Sequence, residues 1–124
     1  MAKILVVDDD PVVQRMLAYV LVDGGHDTRR ASNGMAALQL LERESFDLVV
    51  SDVRMPELDG LGLLARIRGD ERLAELPVIL LTAQFDAYDD VQPQPDPLTI
   101  FLQKPLSSSE LASAVGHHLA AASG

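Results

Sequence analysis

Four short apolar runs in this sequence each lead into polar residues suited to phosphoryl transfer. They are residues 4–7 before Asp8 and Asp9, 48–50 before Ser51 and Asp52, 78–81 before Thr82, and 100–102 before Gln103 and Lys104. If these runs are parallel strands, their carboxyl ends lie at one edge of one sheet, where open α/β sheets bind ligands. The spacing therefore predicts three acids, a hydroxyl and an ammonium in a single crevice.

This set of groups is sufficient to transfer a phosphoryl group to an aspartate. Three carboxylates in one pocket repel each other, since two unit charges about 4 Å apart cost about 4 kcal/mol at an effective dielectric constant of about 20. Lys104 is one cation that can offset the repulsion, and Mg²⁺ is another, because it binds carboxylates, water and phosphate oxygens. One acid can then form an acyl phosphate, while Thr82 donates a hydrogen bond to a phosphoryl oxygen.

Each residue also has a simpler explanation when taken alone. Asp8 to Asp10 could cap a helix, Asp52 could begin a loop, Thr82 could end a strand, and Lys104 could be a solvated charge. We favour the site because all four strand ends coincide. The histidines do not join it: His26 is isolated in a turn, and adjacent His117 and His118 point to different sides of a helix, so neither a metal site nor phosphohistidine chemistry is predicted for them.

Composition indicates one globular domain. The chain has 124 residues, 48% of them apolar and 23% charged, which fits a single hydrophobic core of about 100 to 150 residues. A net charge of -9 argues against direct nucleic-acid binding, and the absence of cysteine excludes disulfides and thiolate metal sites. The first apolar run ends at Asp8 and is too short to span a membrane. A cytoplasmic protein without membrane attachment is therefore expected.

Apolar runs alternate with helical periodicity, which predicts a doubly wound α/β fold with a parallel sheet. The predicted strands are residues 4–7, 27–31, 46–50, 77–81 and 100–102, and the polar second strand is expected at an edge. Four helices are also predicted. The first is capped by Asp10, begins at Pro11 and ends at Gly24, and its apolar face contains Val12, Val13, Met16, Leu17, Val20 and Leu21. The second contains Met35, Leu38 and Leu41, the third follows Asp59 and Gly60 and contains Leu61, Leu64 and Ile67, and the last begins at a capping box of Ser107 and Glu110 and contains Leu111, Val115 and Leu119.

The segment from Gln84 to Thr99 has no clear assignment. A further helix is expected there, but Pro93, Pro95 and Pro97 allow it only before about residue 93. Both a solvated loop and a partner-facing segment fit the residues. Residues 120–124 are read as a frayed helix end or a linker.

These residues also carry a family resemblance. Over essentially its whole length the chain resembles a response-regulator receiver domain of two-component systems, of the chemotaxis-receiver-like kind. The matching stretches are ILVVDDDPVVQRML, FDLVVSDVRMPELDGLGLL, PVILLTA and the Lys104-Pro105 pair. The resemblance implies a single receiver domain over residues 1–124 and a flavodoxin-like five-stranded parallel sheet in the order 2-1-3-4-5. Together with the prolines, it predicts that the fourth helix is short or degenerate.

The resemblance also implies roles for individual residues. Asp52 would accept a phosphoryl group from a histidine kinase or a histidine phosphotransfer protein, and Thr82 and Lys104 would contact it. Asp8, Asp9 and Asp52, with the main-chain carbonyl of Arg54, would bind Mg²⁺ or Mn²⁺; Asp9 is favoured as a direct ligand, and Asp8 would act partly through water.

Further roles that the resemblance implies concern switching and the survival of the acyl phosphate. Phe101 matches the aromatic switch residue that accompanies Thr82, although it could equally be a plain core residue. Arg54 and Gln84 match positions that influence the lifetime of the acyl phosphate, and the Lys104-Pro105 bond matches one that is usually cis. The stretch QPQPDPL departs from the family pattern. The departure affects the surface through which receivers contact dimer partners or targets, and it does not affect the residues of the chemistry. On this reading the chain is a signalling domain that catalyses its own phosphorylation and dephosphorylation, and it regulates a downstream protein as a monomer or as a phosphorylation-dependent homodimer.

Two other functions fit parts of the sequence. The stretch from Asp8 to Val12 resembles the nucleophile motif of haloacid-dehalogenase-type phosphatases, which would make Asp8 the nucleophile but leave residues 51–60 unexplained. Alternatively, the same fold could be a scaffold that binds its partner without phosphorylation. The position of any phosphoryl group separates the first alternative from the receiver, and the behaviour of an Asp52 variant separates the second.

Overall fold

The structure is a computed structural model that describes residues 2–82, 97–104 and 107–123, with side chains to residue 120. In this part of the chain, five strands and four helices occur. They are β1 (Lys3–Val7), α1 (Pro11–Asp23), β2 (Asp27–Ala31), α2 (Gly34–Arg43), β3 (Leu48–Asp52), α3 (Gly60–Gly69), β4 (Val78–Thr82), β5 (Thr99–Gln103) and α4 (Ser108–Ser123).

All neighbouring strands are parallel, and the sheet order is β2-β1-β3-β4-β5. This confirms the predicted fold class and places the polar strand β2 at an edge. Side chains alternate along each strand, so that Ile4 and Val6 pack against α1 and α4, whereas Leu5 and Val7 pack against α2 and α3. Because helices cover both faces, the central strands β1, β3 and β4 are apolar except at their ends.

Predicted helix boundaries are confirmed by local hydrogen bonds. The Asp10 side chain accepts from Val12 N at 2.9 Å, and Pro11 opens α1. Before α4, Glu110 N donates to Ser107 Oγ at 3.1 Å and Ser107 N donates to Glu110 Oε1 at 3.2 Å, which is the predicted capping box. These caps fix where two helices start relative to the strand ends.

The predicted apolar face of α1 is only partly buried. Leu17 and Leu21 are buried and Val13 and Val20 pack against the core, but Val12 and Met16 are 59% and 63% exposed, and the buried side also contains Gln14 and Ala18. Apolar residues in α1 extend around more than half of the helix, so periodicity alone does not show which part of that surface meets the sheet. Packing against β1 and β2 selects the part that contains a glutamine.

Strand β3 also differs from its prediction. It covers Leu48–Asp52 instead of residues 46–50, because pairing with β4 continues to the Ser51–Leu80 and Asp52–Leu81 positions. Phe46 packs against the core outside the ladder. As a result, Asp52 is the last residue of a strand held by its neighbours, which limits its main-chain movement.

The predicted short fourth helix and the QPQPDPL departure fall mainly in residues 83–96, outside the described residues. None of the helices within the described ranges has the length and apolar character needed to cross a membrane.

Candidate functional site

Three acids meet at the carboxyl edge of the sheet. Asp8 follows β1, Asp52 ends β3, and β1 and β3 are hydrogen-bonded neighbours. Carboxylate oxygens of Asp8, Asp9 and Asp52 all lie within 4.8 Å of one another. Asp8 is buried, Asp52 is half-buried and Asp9 is exposed, so the pocket opens toward solvent on the Asp9 side. The structure thus brings together the acids that the strand-end pattern selected.

Lys104 brings a positive charge to the same pocket. Its Nζ lies 3.3 Å from Asp52 Oδ1 and 3.5 Å from Asp8 Oδ2. The residue follows β5 directly, and its main-chain N donates to the carbonyl of Thr82 at 2.8 Å. Thr82 is the buried last residue of β4. Two adjacent strand ends therefore present a hydroxyl-bearing residue and an ammonium beside the acids.

Burial disfavours the charged form of Asp8. Its side chain is 1% exposed, and burial raises the pKa of Asp8 above its usual value, against the opposing effects of the Asp10 N–H and the Lys104 ammonium. Oδ1 accepts from Asp10 N at 2.9 Å, whereas Oδ2 is buried 3.5 Å from the Lys104 ammonium and has no hydrogen-bond partner among the described residues. A buried carboxylate oxygen in this condition is costly unless a cation or donor approaches it.

The donor set fits Mg²⁺ or Mn²⁺. It contains only carboxylate oxygens, and it lies in a pocket open on one side. Arg54, whose carbonyl was predicted to complete the ligands, follows Asp52 by two residues in the connection to α3. Lys104 supplies only one positive charge to two carboxylates. A metal cation in this position would offset the repulsion that remains between them.

A glycine shapes the main chain beside Asp52. A Cβ at Gly60 would collide with the carbonyl oxygen of Asp52 and would lie 2.8 Å from Cα of Val53. Gly60 N donates to the carbonyl of Val53 at 2.8 Å, and the Asp59 side chain caps α3 by accepting from Gly62 N at 2.8 Å. Because residue 60 has no side chain, the first turn of α3 can lie directly against the end of β3.

The remaining predicted site residues are less directly involved. Phe101 is half-buried on β5, opposite Leu80, and packs against the core on the α2 and α3 face. Arg54 is exposed. Gln84 and Pro105 lie outside the described residues, so the lifetime role of Gln84 and the cis bond stay predictions.

Two of the three histidines have hydrogen-bond partners outside the acidic pocket. His26 Nδ1 accepts from Ala2 N at 3.1 Å, and the buried His118 has its Nε2 2.7 Å from the carbonyl of Leu98. His117 is exposed on the other side of α4. No histidine belongs to the acidic metal-binding group found among the described residues.

Sequence reasoning missed the buried Gln14 and named Ser51 without giving it a role. Gln14 Nε2 donates to the carbonyls of Asp8 and Ala31, at 3.0 and 3.1 Å. Ser51 Oγ donates to the carbonyl of Asp52 at 2.9 Å. A signal for Gln14 was available: it occupies the first position of a stripe with spacing 14, 17, 18 and 21, whose other members are apolar.

Comparison with known proteins assigns the family. The family model described as "Response regulator receiver domain" matches residues 4–116. The chain belongs to this receiver domain family. This receiver is 36% identical over 110 residues to chemotaxis protein CheY-3 of Vibrio cholerae, with 88% of this chain and 85% of that protein covered.

Other relatives are longer. The probable transcriptional regulator ycf29 of Pyropia yezoensis is 33% identical over 118 residues, which are 95% of this chain and 53% of that protein. The receiver therefore spans about half the length of the ycf29 relatives, 53% and 54% of them.

A solved structure agrees with the fold. The signal receiver domain of a signal transduction histidine kinase from Syntrophus aciditrophicus has a TM-score of 0.88 and 34% identity, covering 98% of this chain and 92% of that one. Receiver domains are signalling modules that interact with histidine kinases and with downstream effector domains. The acids, threonine and lysine described above therefore belong to a domain whose family acts in signalling.

Proposed function

We propose that this receiver accepts a phosphoryl group from a phosphohistidine onto Asp52, with Mg²⁺ or Mn²⁺ bound, and then regulates a partner protein. The observation that supports this most is the shared ammonium of Lys104, 3.3 Å from Asp52 and 3.5 Å from the buried Asp8. This ammonium lies at the solvent-accessible carboxyl edge of the sheet, where it can also bind an incoming anionic group such as a phosphoryl group. Residues 1–124 would form one receiver domain acting in the cytoplasm.

In the proposed reaction, a carboxylate oxygen of Asp52 attacks the phosphorus atom of the donor. The new O–P bond forms as the N–P bond to the donor imidazole breaks, and the imidazole leaves with the bonding electron pair and takes up a proton. The Lys104 ammonium and the Thr82 hydroxyl interact with phosphoryl oxygens as charge builds there. Lys104 Nζ already lies 3.3 Å from Asp52 Oδ1, which supports its role in this step.

The metal ion would be held by Asp8, Asp9 and Asp52 with the Arg54 carbonyl. When bound, it supplies positive charge to the transferring group. Asp8 provides a buried anchor, since its Oδ2 has no hydrogen-bond partner, whereas exposed Asp9 allows exchange of water and ion. Lys104 can then turn from the two acids toward the phosphoryl oxygens.

The proposed output is a conformational switch. Phosphorylation adds negative charge and acceptor oxygens next to Thr82 and Lys104, which lie on adjacent strand ends. Movement of Thr82 toward the phosphoryl group would leave space that Phe101 could fill from β5. Inverting a 1:99 population requires that phosphorylation favour the active state by about 5.5 kcal/mol, and a smaller bias gives a graded response.

The test is phosphorylation by a small-molecule donor. The wild-type chain, incubated with acetyl phosphate and Mg²⁺, is expected to gain one phosphoryl group in intact mass spectra, and peptide mapping is expected to place it on Asp52. Chelation of the metal should prevent the gain. A phosphoryl group on Asp8 would instead support the phosphatase alternative, and an unmodified chain at excess donor and metal would contradict the proposal.

A protein donor must also dock close to Asp52, and α1 offers an apolar surface there. Met16 and Tyr19 are 63% and 73% exposed. Met16 also lines a groove of about 270 Å³ between α1 and α4, and Lys104 lines the same groove. Lys104 also contacts Asp52, so the groove and the proposed reaction site share this residue. The phosphohistidine protein would therefore place apolar side chains against α1.

Met16→Glu should separate docking from chemistry. It is expected to slow transfer from a phosphorylated histidine phosphotransfer protein by about tenfold or more, the equivalent of about 1.4 kcal/mol, while uptake from acetyl phosphate stays at the wild-type rate. Val22→Glu is the matched control, because Val22 is 56% exposed on the same helix but does not line the groove. Equal slowing with both donors would show damage to the site, and equal slowing by both variants would contradict docking at the groove.

A further inference from the structure

Gln14 is a buried polar side chain that the reaction described above does not use. It lies on the sheet-facing side of α1 and is 8% exposed. Its Nε2 donates to the Asp8 carbonyl at 3.0 Å and to the Ala31 carbonyl at 3.1 Å, so both amide hydrogens are used. The orientation of the amide is fixed chemically, since the opposite orientation would place Oε1 against two carbonyl oxygens.

These two carbonyls lie where the β1–β2 ladder ends. Asp8 N donates to the Ala31 carbonyl at 3.1 Å, and this hydrogen bond joins the carboxyl ends of the two strands. Gln14 therefore closes a three-part junction of β1, β2 and α1 directly behind the acidic pocket. The Asp8 carbonyl belongs to the peptide unit that joins Asp8 to Asp9, so the hydrogen bond from Gln14 fixes the plane of that peptide.

We propose that Gln14 is a positioning residue for divalent-metal binding: it holds the Asp8–Asp9 peptide so that both carboxylates face one cation. This inference rests on the proposed function only in taking these acids as metal ligands. The bond from Asp10 N to Oδ1 orients the Asp8 side chain, and the Lys104 ammonium lies 3.5 Å from Oδ2. Gln14 acts instead on the main chain, so it helps to define where the whole carboxylate lies. Loss of such supporting hydrogen bonds typically weakens metal affinity by about 10- to 100-fold.

The test measures metal binding directly. Mn²⁺ titrations of the metal-free chain, followed by the electron paramagnetic resonance signal of free Mn²⁺ and competed with Mg²⁺, give the dissociation constant without any turnover. Gln14→Met keeps the length of the side chain but removes both donors, and it is expected to raise the dissociation constant about tenfold. In acetyl phosphate assays, the Mg²⁺ concentration for half-maximal rate should rise similarly, with the rate at saturating Mg²⁺ retained.

Leu21→Ala is the matched control, because Leu21 is buried on the same face of α1, seven residues after Gln14, and its apolar side chain cannot hydrogen-bond to the Asp8 carbonyl. It should destabilise the fold yet leave the Mn²⁺ dissociation constant at the wild-type value. If Gln14→Met does not fold, Gln14→Glu retains the shape. Its added negative charge would attract Mn²⁺, so weaker binding by that variant would report lost positioning.

The outcomes separate this inference from the proposed function. Unchanged Mn²⁺ affinity in Gln14→Met, equal weakening in Leu21→Ala, or a wild type that binds no Mn²⁺ would overturn the role of Gln14. A wild type that binds Mn²⁺ tightly, loses affinity in Gln14→Met and takes no phosphoryl group would contradict the proposed function while supporting the positioning role.

Discussion

Asp52→Asn is expected to abolish phosphoryl uptake from acetyl phosphate in the presence of Mg²⁺. The amide has the shape of the carboxylate but is a very poor nucleophile, so no acyl phosphate can form. Asp52 is half-buried at the end of β3, and its main chain is held by Ser51 and by pairing with β4, so the variant should fold as the wild type does. Intact mass after incubation with donor and metal gives the answer directly.

Asp23→Asn is the control for Asp52→Asn. Asp23 is an exposed acid at the last residue of α1, far along the chain from the strand ends. The Asp23→Asn variant removes the same charge as Asp52→Asn and should leave phosphoryl uptake unchanged. Uptake by Asp52→Asn at the wild-type rate would place the phosphoryl group elsewhere. A partner protein that binds wild type and Asp52→Asn equally well, whether donor is present or not, would support the unphosphorylated scaffold.

Asp8→Asn is expected to stabilise the metal-free protein while removing its response to Mg²⁺. The wild-type carboxylate is buried, faces two other acids and has one oxygen without a hydrogen-bond partner. The neutral amide can keep the bond from Asp10 N and avoids the burial of charge. Replacing such a destabilising group typically raises the free energy of unfolding by about 0.5 to 2 kcal/mol. Chemical denaturation in the presence of a chelator measures this gain.

The effect of Asp8→Asn should depend on pH. Burial raises the pKa of Asp8 in the folded state, so the folded wild type holds the proton more tightly than the unfolded chain. The ionised carboxylate therefore costs stability above the folded pKa, and the cost disappears as pH falls below about 4, where Asp8 is protonated in both states. The advantage of the variant should be largest near neutral pH and should shrink toward acid.

Magnesium should make the wild type more stable to unfolding than Asp8→Asn, which reverses their order in the presence of a chelator. Saturating metal at about 100 times its dissociation constant stabilises a protein by about 2.7 kcal/mol, which wild type should gain and Asp8→Asn should not at the same concentration. Asp23→Asn should respond to Mg²⁺ as wild type does. A less stable Asp8→Asn that still responds to Mg²⁺ would show that Asp8 is neither strained by burial nor a metal ligand.

Much of the site could be predicted because its chemistry depends on residue types at strand ends. A buried parallel strand must be apolar, so the first polar residues after each run mark the carboxyl edge. This located Asp8, Asp52, Thr82 and Lys104 without coordinates. Helix starts were predictable for a related reason: caps at Asp10 and Ser107 satisfy main-chain donors within a few residues, a strictly local requirement.

The boundaries and faces were harder to predict, since they depend on distant partners. Strand β3 extends to Asp52 because β4 supplies a ladder partner there. The face of α1 that becomes buried depends on how the helix packs against β1 and β2. Gln14 was overlooked because its two acceptors, the carbonyls of Asp8 and Ala31, lie 6 and 17 residues away along the chain.

The sequence alone determined which residue types follow the strands: the aspartates, the hydroxyl and the ammonium on which the proposed phosphoryl transfer depends. The tertiary structure decided how these groups share charge. Only the fold shows that Lys104 lies between Asp8 and Asp52, and that one oxygen of Asp8 is buried without a hydrogen-bond partner. Residue types follow from local requirements on strands and caps, whereas burial and the pairing of charges follow from which strand ends lie side by side.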